Sequence, residues 1–190
     1  MPYPPSVDID AGVEAMRAWI ASRDWGGLES SFAEDCRRLD PEAAAAVSSV
    51  DLSLYTSELA DSINALGTQL GKTTAAVYWE FDVDNGWSSA FFECLSYESE
   101  SVGDDDWASN FDPSKVHSGP AMPELAALLA TTWRGNAADE ARNLHLLACT
   151  MAAFGRASAR WNPDVPLCAG FHDQWIVFRV VAGPGDIGGH

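Results

Sequence analysis

Apolar residues recur at helical spacing through the first third of the chain. In IDAGVEAMRAWIASR they lie close to the spacing of one helix face, and Asp10 is placed to cap that helix. The segments GGLESSFAEDCRRL, PEAAAAVSS and LYTSELADSINALGTQLG repeat the pattern, and Pro41 stands at a first helical position. This pattern predicts that residues 1–71 are mainly helical.

The period then changes to that of β-strands. TAAVYWEFDV and WSSAFFECLSY are rich in β-formers and are separated by the turn sequence DNG, which predicts an antiparallel hairpin. The fold class expected is α+β, with N-terminal helices, a small antiparallel sheet of about three strands and C-terminal helices. The single domain, 1–190, is divided into a hairpin at 73–97, an acidic loop at 98–122, helices at 123–161, a strand at 173–181 and a flexible tail at 182–190.

Composition is typical of one globular domain. The chain has 190 residues, of which 47% are hydrophobic and 21% charged, enough to bury a core. No apolar run approaches the length of a membrane span, and the N-terminus lacks the order of a secretion signal, so a cytoplasmic location is expected. The four cysteines are widely separated, which favours reduced structural thiols over a disulfide or zinc framework. No cofactor is expected.

Charge indicates the kind of partner. The chain carries 28 acidic against 11 basic residues, a formal net charge of -17. Such a field repels nucleic acid and anionic membrane surfaces, and it attracts a basic protein and accelerates association with it. The partner expected is therefore a basic protein, with no nucleic acid and no membrane.

The acids are concentrated in the hairpin and the loop that follows it. Ten acidic residues lie between Glu80 and Asp112, and no lysine or arginine occurs from Thr73 to Ser114. Trp107 and Phe111 fall in this polar loop: they either fold back onto the domain or form exposed aromatic anchors for a basic partner. The candidate partner-binding residues are Glu98, Glu100, Asp104, Asp105, Asp106, Trp107, Phe111 and Asp112.

The order VYWEFDVDNGWSSAFFECLSYESESVGDDDWASNF, followed by SGP and a helix, resembles small acidic immunity proteins of bacterial polymorphic-toxin systems. In these a strand hairpin leads into an acid-rich segment that ends near Asp-Asp-Trp, and the resemblance covers about residues 75–135. It implies a protein without catalysis of its own that binds and neutralises a cognate toxin domain. Many such toxins attack nucleic acid or nucleotides in the cytoplasm and are basic where they hold substrate. The pattern carries over to Asp104, Asp105, Asp106 and Trp107.

Two other functions stay open at this point. A metal-dependent hydrolase would use the carboxylates at 104–106 together with His117, and an acidic adaptor or regulatory domain would bind a partner other than a toxin. His145 and Cys149 are four residues apart on a predicted helix, but the apolar stripe around them favours a packed histidine over a metal ligand. No motif of a serine or cysteine nucleophile is present, so the chain is expected not to be an enzyme.

Overall fold

The computed structural model describes residues 9–99, 105–161, 164–172 and 176–183. These residues form six α-helices and one five-stranded sheet, and none of the helices is long and apolar enough to cross a membrane. The helices are α1 (Ile9–Ser22), α2 (Trp25–Leu39), α3 (Pro41–Ser48), α4 (Ser53–Gly67), α5 (Pro123–Ala126) and α6 (Ala137–Ala157). The strands are β1 (Ala76–Asp82), β2 (Ser88–Cys94), β3 (Phe111–Ser118), β4 (Leu167–Phe171) and β5 (Phe178–Val181).

The sheet is mixed, with the strand order β3-β2-β1-β4-β5. β1 is antiparallel to β2 and parallel to β4, while β3 and β5 pair antiparallel at the two edges. Tyr78 of β1 lies opposite Phe92 on one side and Cys168 on the other. Because side chains alternate along a strand, these three residues share one face of the sheet, and Trp79 and Phe91 share the other.

Helix α6 fills the face of the sheet that carries Trp79. The Trp79 and Phe154 rings stack with centroids 4.2 Å apart and planes 4° from parallel. Trp87 donates from Nε1 to the Thr150 hydroxyl at 2.8 Å, which satisfies its buried N–H. Asn136 caps the helix by accepting from two backbone N–H groups of the first turn. We call this the helical face of the sheet.

The contact between α2 and α6 depends on a glycine. A Cβ atom at Gly155 would lie 2.5 Å from ring atoms of Trp25, so only glycine lets the two helices approach this closely. The Arg156 guanidinium forms a two-point ion pair with Glu29 of α2 on the neighbouring surface. The N-terminal helices are thus fixed against the same helix that packs on the sheet.

The sequence correctly predicted an α+β fold, the N-terminal helices and the central hairpin, but the number of strands was wrong. The sheet has five strands instead of about three. β3 lies inside the predicted acidic loop 98–122, and its proline, lysine and polar residues are those of an edge strand, which hide the alternation. β4 was missed because LCAGF is short and poor in β-formers, although all five residues are buried.

The C-terminal half differs in a second respect. The helices expected at 123–161 are present as α5, α6 and a 3₁₀ turn at Ser158–Arg160, but two strands follow them. The predicted strand 173–181 corresponds to β5, which is only four residues long. Most of the predicted tail lies outside the described residues.

His145 is a buried residue of α6, as the apolar stripe predicted, and 2% of its surface is exposed. Its Nδ1 is buried and has no hydrogen-bond partner among the described residues. The imidazole pKa is lowered to about 4, mainly by burial; the Glu29 carboxylate opposes this shift and the Arg37 guanidinium adds to it. The ring is therefore neutral at physiological pH.

This burial predicts a loss of stability in mild acid. In the unfolded chain His145 takes up a proton near its ordinary pKa of about 6.5, whereas in the folded chain it does so only near pH 4. Its contribution is therefore complete above the unfolded pKa and is lost as the pH falls toward the folded pKa, by about 2 kcal/mol between about pH 7 and about pH 5. Urea unfolding at the two pH values measures this.

The variant His145→Leu removes the titrating group, so its free energy of unfolding should fall about 2 kcal/mol less over the same interval. His172→Gln is the matched control, because the His172 side chain is half exposed. Equal pH dependence of the wild type and His145→Leu would show that His145 is not the group responsible.

Candidate functional site

The face of the sheet opposite the helical face has a smaller apolar cluster. We call it the outer face; Ala76, Tyr78 and Glu80 of β1 lie on it. The segment before β3, which contains Trp107, packs over one end of this face. The described residues just before β3, among them Asp105 and Asp106, therefore belong to the part of the chain that covers one end of the outer face.

Trp107 is a core residue of that cluster. It is 5% exposed, and the edge of its ring meets Tyr97 with centroids 5.0 Å apart. The structure thus confirms the alternative in which this tryptophan folds back onto the domain. Trp107 cannot serve as an exposed anchor in this conformation, and its role is to fasten the segment to the sheet.

Beneath Trp107 lies a buried cation. The Arg179 side chain of β5 is 5% exposed and donates to the Asp105 carboxylate at 2.8 Å and to the Glu98 carbonyl at 3.1 Å. Its guanidinium carbon is 6.0 Å from the ring centroids of both Tyr97 and Trp107. Burial lowers the pKa of Arg179, but the hydrogen bond and charge of Asp105 outweigh burial and raise it above its usual value. The guanidinium is therefore fully charged.

Next to this ion pair the outer face has a shallow pocket of about 120 Å³. Three aromatic side chains line it: Tyr78, Phe92 and the half-buried Phe111, whose ring centroid is 4.7 Å from that of Phe92. The carboxylates at its rim belong to Glu80, Asp105 and Asp106. We call this the acidic-aromatic pocket.

Only part of the predicted site reaches the acidic-aromatic pocket. Asp105, Asp106 and Phe111 line it, with Asp106 exposed at the surface. Glu98 contributes its backbone carbonyl to Arg179, and the Asp112 carboxylate accepts from the Ser114 hydroxyl at 2.7 Å in a local turn. Glu100 and Asp104 lie outside the described residues.

Glu80, Tyr78 and Phe92 were not singled out by the sequence analysis. Glu80 is the one charge in the apolar run VYWEF, and its carboxylate lies 3.0 Å from Nδ1 of His172. The signal was present in the alternation of β1, which sets Tyr78 and Glu80 on one face and Trp79 on the other. The sequence alone did not show that this face of the sheet stays partly uncovered.

His117 lies at a different place from the carboxylates with which the hydrolase hypothesis combined it. It is opposite Phe91, on the helical face, and its Nε2 is 3.1 Å from the Glu93 carboxylate. The structure therefore does not bring His117 together with Asp105 and Asp106, and Asp105 is already paired with Arg179. In the described part of the chain, no three His, Cys, Asp or Glu side chains are grouped so as to hold a metal ion.

Glu93 is instead a buried junction. It is 2% exposed and accepts hydrogen bonds from the Gly71 N–H at 3.0 Å and from the Thr74 hydroxyl, with Lys115 Nζ at 3.5 Å. Burial raises the pKa of Glu93, but the hydrogen bonds from Thr74, Gly71 and His117 outweigh burial and hold the pKa below its usual value. This carboxylate joins β2 to β3 and to the connection before β1.

Comparison with known proteins adds no constraint on the site. No family model matches the chain, and neither a curated protein nor a solved structure is detectably similar to it.

The buried ion pair predicts that two adjacent aspartates differ strongly in their effect on stability. Asp105→Ala leaves the Arg179 guanidinium buried without its partner and should lower the free energy of unfolding by about 3 kcal/mol. Asp106→Ala removes an exposed carboxylate one residue away and should change the free energy of unfolding by less than about 1 kcal/mol. Chemical unfolding of the two variants measures the difference.

The double variant Asp105→Ala/Arg179→Met removes both charges and should recover much of the lost stability, because no buried cation is left unpaired. If Asp105→Ala were no more destabilising than Asp106→Ala, the ion pair would not be what holds the segment on the sheet.

Proposed function

We propose that this chain is an immunity-type protein, which binds a basic toxin domain and neutralises it without a chemical reaction of its own. The observation that carries the proposal is the acidic-aromatic pocket on the outer face, in a chain with a net charge of -17. The sequence resemblance of residues 75–135 to polymorphic-toxin immunity proteins points to the same function.

The chemistry of the pocket suits a lysine or arginine side chain of the partner. Its lining includes the aromatic side chains of Tyr78 and Phe92, together with the acidic side chains of Glu80 and Asp106. A cation is attracted to the face of an aromatic ring, and a charge-assisted hydrogen bond to a carboxylate adds direction. Arginine in a desolvated pocket is among the commonest energetic centres of protein interfaces.

The burial of Trp107 changes the expected form of the contact. An exposed tryptophan would have entered a pocket of the partner, whereas here the chain offers a pocket that receives a side chain from the partner. Asp105 and Trp107 would then act indirectly, because they hold the segment in place. Asp105→Lys and Trp107→Ala are for this reason poor tests of binding, since both disturb the fold.

The net charge supports fast association with a basic protein. A molecule with a large negative net charge steers a positive partner over longer distances than any single contact reaches, and the effect weakens as salt screens it. A toxin that holds nucleic acid or nucleotides is basic at its substrate site, so the chain's acidic surface would compete for that site.

The test is the protection of cells. Candidate toxin domains encoded beside the gene of this chain are expressed with and without it, and survival is scored. We expect the wild-type chain to protect against one basic domain and to bind it in a salt-sensitive manner. We expect Asp106→Lys to weaken that binding at least tenfold, because it places a like charge against the cation of the partner.

Asp61→Lys on α4 is the matched control, because it changes an exposed aspartate and alters the net charge by the same amount. A long-range effect of charge alone would weaken binding equally in both variants, whereas a contact at the pocket affects only Asp106→Lys. Thermal unfolding of both variants verifies the fold. Normal protection by a folded Asp106→Lys protein would remove the pocket from the interface, and failure of the wild type to protect against any such domain would contradict the function.

A further inference from the structure

The outer face of the sheet stays open beyond the acidic-aromatic pocket. Two rows of side chains cross it from β1 to β3: Tyr78, Phe92 and Val116 form one row, and Glu80, Ala90 and Ser118 form the next. Val116 and Ser118 are exposed, and the other members apart from Tyr78 are half-buried. We call Glu80, Ala90, Phe92, Val116 and Ser118 the open strip.

The open strip has an apolar part that reaches solvent. Val116 is 41% exposed and lies opposite Phe92, whose ring contacts that of Phe111. A large apolar side chain with this exposure loses contact with water when a partner covers it, which favours association. The row from Phe92 to Val116 therefore offers apolar contact area next to the acidic-aromatic pocket.

The positive side chains of β3 lie on the other side of the sheet. Val116 pairs with Phe92 on the outer face, so its neighbours Lys115 and His117 belong to the opposite face. Both approach the Glu93 carboxylate, Lys115 Nζ at 3.5 Å and His117 Nε2 at 3.1 Å. β3 therefore contributes no positive side chain to the open strip.

The charges on the side of the open strip are negative. Glu80 and Asp82 of β1 lie on the outer face, and Asp106 lies at the rim of the acidic-aromatic pocket. The remaining arginine of the described strands, Arg179, is buried against Asp105. This face therefore attracts a basic partner, whereas a second copy of the chain, with the same net charge of -17, is repelled.

The width of the open strip suits one helix. Neighbouring strands are about 4.8 Å apart, so β1, β2 and β3 together span about 10 Å. An α-helix with its side chains is about 10 Å in diameter, whereas a second sheet is usually wider than three strands. The small side chains of Ala90 and Ser118 leave space for larger side chains of such a helix.

We propose that the open strip docks a basic amphipathic α-helix of the partner, with its apolar stripe on Ala90, Phe92 and Val116 and an arginine in the acidic-aromatic pocket. The identification of that partner as a toxin domain rests on the proposed function. The docking surface rests on exposure, charge and strand register, and a synthetic helix tests it without a toxin.

The experiment is an NMR titration of the full chain with a helical peptide. The peptide has about 18 residues of alanine, leucine, glutamine and arginine, is about 27 Å long as a helix, and has its leucines on one face. A second peptide has the same composition with the leucines distributed around the helix. At about 0.15 M salt we expect saturable shifts of the Ala90, Val116 and Ser118 amides with the striped peptide.

The second peptide should bind at least about tenfold more weakly, because it has the same charge without an apolar stripe. Equal affinity for the two peptides would show attraction by net charge alone and would overturn the proposal. Shifts confined to other surfaces of the chain, or no saturable binding of the striped peptide, would overturn it as well.

Two variants test the residues. Val116→Thr keeps the β-branched shape but loses an apolar methyl group, and it should weaken binding of the striped peptide about fourfold. Leu54→Gln is the matched control, because Leu54 is 69% exposed on α4, which packs against α6 and not on the outer face. Unchanged binding by a folded Val116→Thr protein, or equal weakening by both variants, would remove Val116 from the docking surface and contradict the proposal.

The outcomes separate this proposal from the proposed function. Binding of the striped peptide on the open strip by a chain that protects against no toxin would support the docking surface and contradict the function. Protection against a toxin that Val116→Thr leaves unaffected, together with no binding of the peptide, would overturn the docking surface alone.

Discussion

The buried guanidinium of Arg179 is the constraint on which the arrangement of the outer face depends. A cation that is 5% exposed has lost most of its hydration and must find other partners. It finds the Asp105 carboxylate, the Glu98 carbonyl and the rings of Tyr97 and Trp107, all of which belong to the connection between β2 and β3. A different register of the segment would leave the charge unpaired, so the ion pair specifies position more than it adds stability.

The position of this segment determines where the acidic-aromatic pocket lies. Trp107 and Tyr97 cover the end of the outer face next to Arg179. Glu80 and Phe92 line the pocket beside this covered end. One further close contact shapes the outer face. The Tyr78 hydroxyl passes so close to Gly170 of β4 that a Cβ atom there would lie 2.4 Å from it, so the flat floor of the outer face depends on the absence of a side chain at that position.

The local sequence predicted those helices and strands whose hydrophobic pattern reflects the burial of their own side chains. The hairpin of β1 and β2 was predicted because its β-formers flank a clear turn, and the N-terminal helices because each buries one stripe. β3 and β4 owe their existence to neighbours. β3 is a polar edge strand that pairs with β2. β4 is a short run, LCAGF, that becomes a strand between β1 and β5. Such strands are specified by tertiary pairing, which no window of the sequence contains.

The same distinction applies to the candidate site. The run of acids with aromatic residues singled out a segment from which Asp105, Asp106 and Phe111 line the pocket. The sequence did not separate Asp105 from Asp106, although one is tied to a buried cation and the other is exposed at the surface. That separation comes from Arg179, which is more than seventy residues away along the chain. The partner of a buried charge is a tertiary property.

The imbalance of charge links stability to binding. At least eight of the 11 basic side chains are in ion pairs with an acidic side chain of this chain, and the acids outnumber the bases by 28 to 11. Their mutual repulsion opposes the compact state. A basic partner relieves that repulsion as it binds, and any molecule that binds only the folded chain stabilises it by mass action. The chain thus uses most of its positive charge internally, and the excess negative charge is available to an oppositely charged partner.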